Sequence, residues 1–223
     1  MTRPLDVLFC DNHLLVVAKP ACLPTVPDDS GDTSLLDLAK TWIAREFAKP
    51  GAVFLGVVHR LDRPVSGVVL FARTSKAADR LSAQFRERTV SKTYWGLVRG
   101  TPRAPAGEVE HWLWKDRQRN RVHIVEEGRE ASRLAVTRYS VLERRKTGAL
   151  LELTPRTGRA HQLRVACASL GTPLLGDLKY GADTALEDRS IALHARSLEV
   201  EHPTLHTRER WVAEPPSLTV WKG

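Results

Sequence analysis

Two stretches of the chain hold residues whose types and spacing suit chemistry. The first, residues 56–74, reads G-V-V-H-R-L-D-R-P-V-S-G-V-V-L-F-A-R-T. Apolar, β-prone runs at Val53–Val58 and Val68–Ala72 flank a polar insert, His59–Gly67, with Pro64 and Gly67 near its end. The spacing predicts a strand, a tight irregular loop and a second strand. Such a loop can hold a side chain rigidly at the rim of a sheet. Its ionisable candidate is Asp62, set between Arg60 and Arg63. A well-placed carboxylate can stabilise a developing positive charge or form a covalent intermediate. Taken alone, an Asp-Arg pair in a turn reads as a solvated turn, and the rest of the chain has to shift that balance.

The second stretch is Thr154–Tyr180, T-P-R-T-G-R-A-H-Q-L-R-V-A-C-A-S-L-G-T-P-L-L-G-D-L-K-Y. Leu163, Ala166, Cys167 and Leu170 recur at helical spacing, so a helix buries that stripe, and Gly171 and Pro173 stop it. Arg164 falls off the stripe near the helix start, after Arg156 and Arg159. Positive charge there opposes the helix dipole, which points to a partner anion, either a carboxylate or a phosphate.

The elements that must position these residues follow from patterning. Leu5–Phe9 and Leu14–Ala18 read as two strands, and Leu35, Leu38, Ala39, Trp42, Ile43 and Phe47 as an amphipathic helix stopped at Pro50-Gly51. Thr74 or Ser75 caps a helix with Ala77, Ala78, Leu81 and Phe85 inward. A strand at Ser91–Val98 carries Tyr94, by pattern a cross-strand aromatic. Glu108–Trp114, Arg121–Val125, Ser132–Leu142 and Ala149–Leu153 form an antiparallel meander with basic turns. Trp112 and Trp114 share a face and read as packing. Ile191–Ala195, Leu198–Glu201 and Trp211 look like closing strands, and Pro215-Pro216 marks a tail.

Composition sets the bounds. At 223 residues, 42% hydrophobic and 27% charged, the chain is an ordinary globular protein with one sizeable core or two small ones. Its 34 Lys and Arg against 26 Asp and Glu leave a net charge of +8, concentrated around Arg86–Lys92, Lys115–Arg121 and Arg144–Lys146, as a nucleic-acid binder requires. Cys10, Cys22 and Cys167 lack C-x-x-C spacing, which argues against a zinc knuckle or disulfide framework and suits a reducing cytosol. His202 and His206 have metal-like spacing without further ligands, so no metal site is expected. No apolar run reaches membrane-spanning length and no signal peptide opens the chain, so a cytoplasmic location and no membrane partner are expected.

Four segments together resemble the RluA-type family of RNA pseudouridine synthases. H-R-L-D-R-P-V-S-G at 59–67 is similar to the signature around the family's catalytic aspartate, and S-K-T-Y-W-G-L-V-R-G at 91–100 to the strand bearing an active-site tyrosine. G-R-A-H-Q-L-R-V at 158–165, followed by G-T-P-L-L-G-D-L-K-Y-G at 171–181, resembles a third family motif, and D-N-H-L-L-V-V-A-K-P at 11–20 the N-terminal hairpin. The resemblance implies an α+β fold, a mixed, largely antiparallel β-sheet core with flanking helices. It further implies a single catalytic domain over 1–223 without a separate N-terminal RNA-binding domain. Asp62 matches the catalytic aspartate, Tyr94 the tyrosine and Arg164 the arginine paired with the aspartate. Arg60, Arg159, His161 and Gln162 match RNA-binding positions. Val65, Ala160, Ala18 and the Ala166-Cys167 pair depart from the family's usual residues, at positions that support the site.

The implied activity is isomerisation of uridine to pseudouridine in structured ribosomal or transfer RNA, on a flipped-out nucleotide. No atoms are gained, so no cofactor is expected; the partner is RNA and the protein a monomer. A runner-up reading is an RNA-binding protein on the same scaffold with weak or lost catalysis.

Overall fold

The computed structural model describes residues 5–222. In chain order the strands and helices are β1 (Asp6–Cys10), β2 (Leu14–Lys19), α1 (Leu35–Glu46), β3 (Gly56–Val57), β4 (Ser66–Ala72), α2 (Ser75–Glu87) and β5 (Ser91–Arg99). They continue with β6 (Ala106–Asp116), β7 (Arg121–Val125), β8 (Arg133–Arg145), β9 (Gly148–Pro155), α3 (Gln162–Ser169), β10 (Leu193–Glu201) and β11 (Arg208–Val212). Single 3-10 turns lie at Leu178–Tyr180 and Thr219–Trp221. The class is α+β, with mixed, largely antiparallel sheet and three helices among the described residues. The chain divides into two compact units, one running up to Ser91 and taking in Ala195–Pro216, the other comprising Lys92–His194 and the segment from Ser217 on.

In the first unit β2 pairs antiparallel with β1 and with β4, β3 joins the C-terminal end of β4, and β11 pairs with β10. All seven residues of β4 are buried, because its apolar run has no polar face to offer solvent. Leu14, Val16, Val68 and Leu70 point one way by period two and meet Leu81, Leu198, Val200 and Trp211. Leu15, Val17, Val69 and Phe71, on the opposite face, are as completely buried. Each such side chain contributes about 1.5–3 kcal/mol of transfer free energy, so this core is what makes β4 a rigid base for the loop preceding it. Gly67 is required at its start. Its φ is +120°, and a Cβ there would stand 2.3 Å from the Ala195 carbonyl oxygen. The Thr74 hydroxyl caps α2 by accepting from the Ala77 N–H at 3.1 Å.

In the second unit the strand order is β5-β9-β8-β6-β7, antiparallel throughout, so the expected meander is not formed: β8 returns past β7 to pair with β6, which leaves β7 as an edge strand. Helix α3 packs Val165 and Ala168 against Leu113, Val122, Ala135 and Tyr180.

Four further local expectations change. The predicted strand at Val53–Val58 forms ladder pairs only at Gly56 and Val57, against Ala72 and Phe71, and leaves Phe54 and Val57 exposed. The two closing strands at 191–201 are one strand, β10. The segment after Pro216 is docked rather than loose, for Val220 and Trp221 pack on Leu97, Leu150 and Ala192, and Arg145 donates to the Val220 carbonyl at 3.1 Å. Residues 162–167 of α3 are buried all round, so Arg164 does not lie outside a buried stripe.

Candidate functional site

The turn bearing Asp62 is fixed from both sides within the first unit. His59 opens it, stacked on Phe85 with ring centroids 4.9 Å apart, its Nε2 accepting from the Leu70 N–H at 2.9 Å. An accepting Nε2 carries no proton, so this ring is neutral with its proton on Nδ1. The buried Thr25 hydroxyl donates to the Leu61 carbonyl at 2.8 Å and accepts from the Leu61 N–H at 3.2 Å. On the other flank the Arg63 carbonyl accepts from the Cys22 N–H at 2.8 Å and from Lys19 Nζ at 3.1 Å. The Val65 N–H closes the turn on the Asp62 carbonyl at 3.0 Å. Asp62 is thus half-buried between two residues whose backbones are pinned. Arg60 is exposed, and the Arg63 guanidinium turns away to Asp28 at 3.0 Å and Asp32 at 2.6 Å.

Lys19 is 1% exposed, and its ammonium spans three carbonyls, those of Pro20 (3.0 Å), Leu23 (2.7 Å) and Arg63 (3.1 Å). Burial pulls its pKa down to about 7, against the opposing pull of Cys22 and Asp62. A cavity of about 390 Å³ beside it is lined by Ala18, Pro20, Cys22, Leu23, Leu35 and Leu38 among others, and by none of the candidate site residues.

The second unit gathers His161, Gln162, Arg159 and Arg164 at the start of α3. Arg164 Nε and Nη2 grip Asp177 Oδ2 and Oδ1, each at 2.7 Å, with side chains 8% and 1% exposed. The partner anion that a cation at this helix start calls for is, in this unit, a carboxylate. His161 adopts a left-handed conformation (φ 51°), and its Nδ1 lies 2.6 Å from the Tyr180 hydroxyl. The Gln162 amide is fully engaged: its oxygen accepts from the Thr157 hydroxyl (2.7 Å) and the Arg159 N–H (3.0 Å), and its nitrogen donates to the Val136 carbonyl (2.9 Å) and the Thr137 hydroxyl (3.0 Å). Arg159 is half-buried and donates through Nε to the Leu134 carbonyl. Tyr94 is half-buried on β5, opposite Leu153 of β9. Trp114 packs under the Arg129 guanidinium, 4.1 Å from the ring centroid.

A sequence model described as RNA pseudouridylate synthase matches residues 13–169, a span that contains Asp62, Tyr94 and Arg164. The chain belongs to that family. The dual-specificity RNA pseudouridine synthase RluA of Haemophilus influenzae is 38% identical over 205 residues, covering 89% of this chain and 88% of that protein. Ribosomal large subunit pseudouridine synthase D of Pseudomonas aeruginosa is 33% identical over 237 residues, covering 97% and 70%. Among solved structures, human RNA Pseudouridylate Synthase Domain Containing 4 superposes with a TM-score of 0.78 at 27% identity, over 95% of this chain and 89% of that one.

As an RNA pseudouridine synthase the protein is an isomerase. Its departures from the family's usual residues lie mostly in packed positions: Val65, Ala166 and Cys167 are buried, Ala18 is half-buried and Ala160 is exposed. Burial, with the Asp177 carboxylate adding to it, pushes the Cys167 thiol up to about 12, which makes it an inert packing group. Sequence reasoning gave no role to Lys19, Asp177 or Tyr180. Their only signal was position, in the A-K-P and G-D-L-K-Y-G segments. No described helix is long and apolar enough to cross a membrane.

Proposed function

We propose that this synthase converts uridines of structured ribosomal or transfer RNA to pseudouridine with Asp62 as its catalytic carboxylate. Support for the RNA class comes from relatives named as dual-specificity and as ribosomal large subunit synthases. The observation that carries the assignment of Asp62 is its turn, in which Leu61 is held on both sides by Thr25 and Arg63 by Lys19 and Cys22. A carboxylate so held keeps its aim without reorganising as charge develops.

The reaction breaks the bond from uracil N1 to ribose C1′, turns the base, and joins C5 to the same carbon, the C5 proton leaving at the end. Positive charge builds on the sugar during cleavage, as in glycoside hydrolysis, and Asp62 is the group that stabilises it or bonds to it. In this reading Arg164 is the arginine that pairs with the catalytic aspartate, and its planar guanidinium orients the Asp62 carboxylate. Asp177 supports that role by holding the guanidinium plane through two short bonds. Tyr94 stacks on the displaced uracil. Arg60, Arg159 and His161 hold the RNA around it, and Gln162 contributes by fixing the Arg159 backbone. The basic turn at Lys115–Arg121 grips phosphates. The protein works in the cytoplasm as a monomer, with RNA as its only required partner.

The test compares purified wild type with Asp62→Asn on total cellular RNA, reading pseudouridine by mass spectrometry. Loss of product with retained RNA binding is expected. Equal yields would end the assignment of Asp62.

A further inference from the structure

Tyr180 sits where three parts of the second unit converge. It is 9% exposed and packs with Leu113, Val122, Ala135 and Val165. Its hydroxyl accepts from the Val122 N–H at 2.8 Å and lies 2.6 Å from His161 Nδ1. Strand β7 is the last in its sheet, so Val122 points an N–H outward with no further strand to receive it, and the phenol takes that place. The ring lies 5.0 Å from the Arg164 guanidinium carbon and 5.6 Å from that of Arg121. The neighbouring Lys179 donates through Nζ to the Asn120 carbonyl at 2.9 Å, at the tip of the same hairpin. Burial raises the phenol above its ordinary pKa, so it stays a hydroxyl that can accept from one side and donate to the other.

The tip it steadies is the most basic turn of the chain: Lys115, Arg117, Arg119 and Arg121 are all exposed. A two-stranded ribbon ending a sheet is a mobile arm unless its outer strand is tied down. We propose that Tyr180 is a positioning residue that ties the basic β6–β7 hairpin to the His161–Arg164 cluster. Through it, phosphates gripped by the hairpin are held in register with RNA held at the start of α3. This rests on the RNA-contacting roles given above to the hairpin and to the start of α3.

The test is a double-mutant cycle on affinity for a labelled RNA stem-loop. Removing two phosphate contacts with Arg117→Ala and Arg119→Ala should weaken binding about tenfold in the wild-type background. In Tyr180→Phe, which keeps the ring and removes only the hydroxyl, the same pair should cost about threefold or less, because a loosened arm grips poorly to begin with. Equal fold-losses in both backgrounds would overturn the proposal, since a residue that merely supports the core leaves the arm's contribution unchanged. So would an arm whose arginines contribute nothing in wild type. Should Tyr180→Phe fold poorly, Lys179→Met loosens the same joint from its exposed side, and additivity there counts equally against it. Coupling in binding alongside absent pseudouridine formation by wild type would support the joint while removing the proposed reaction, so the two claims fail separately.

Discussion

Replacing Asp177 by Asn removes one charge and almost no volume from the second unit. The consequence follows from burial. Arg164 and Asp177 are 8% and 1% exposed, and both bonds between them measure 2.7 Å. Asn can accept at one of those two positions and carries no charge, so the guanidinium loses its partner anion within the unit while still shielded from water. Breaking a buried pair from one side typically costs about 3–5 kcal/mol. For a chain of this size each kcal/mol moves Tm by about 2–4 °C, so a fall of roughly 6–20 °C is expected. Asp28→Asn is the control. It also removes an arginine's partner, at 3.0 Å from Arg63, but its carboxylate is open to solvent and that pair is screened. No measurable change in Tm is expected there. Thermal unfolding followed by circular dichroism distinguishes the two, and Arg164→Met added to Asp177→Asn should recover part of the loss by removing the stranded charge. If Asp177→Asn melted with the wild type, the claim that this pair is compensated inside its own unit would be wrong.

Other perturbations test the first unit. Lys19 has a native pKa of about 7 against about 10.4 in an unfolded chain. Between those values the unfolded state binds the extra proton, so the stability difference between wild type and Lys19→Met should shift in favour of wild type as pH rises from about 7 to 10. A flat difference in denaturant titrations across that window would mean that the three carbonyls keep the ammonium charged in the fold. Thr25→Val strips the Leu61 N–H and carbonyl of their buried partner, at about 1–3 kcal/mol for each unsatisfied group. It should lower kcat well below wild type with KM little changed, and Thr25→Ser should restore it; unaltered steady-state kinetics in the Val variant would separate Asp62 from its turn. Gly67→Ala forces a Cβ to 2.3 Å from backbone at a φ of +120° and should cost more than about 4 kcal/mol, read as lost soluble yield or a collapsed Tm.

Much of this protein was legible one residue at a time. Local periodicity is enough to place α1, α2 and the four strands β6 to β9, but not their order: β7 and β8 are joined by a short turn, yet β8 pairs with β6 and not with β7. The motif order around Asp62, Tyr94 and Arg164 likewise named a family that the matching segment 13–169 bears out. What periodicity could not give was burial imposed from a distance. Arg164 falls off the apolar stripe of α3, yet it is interior because Asp177, thirteen residues on, supplies the charge that makes burial tolerable. The run at Val53–Val58 has a strand's composition, but only two of its residues find a ladder partner on β4. Lys19 reads as the polar end of a hairpin and becomes a buried cation because three carbonyls close on it, two from the loop that follows β2 and one from the Asp62 turn. Composition records what each residue prefers; only the tertiary structure supplies the partners that let a charge be buried or leave an apolar run outside.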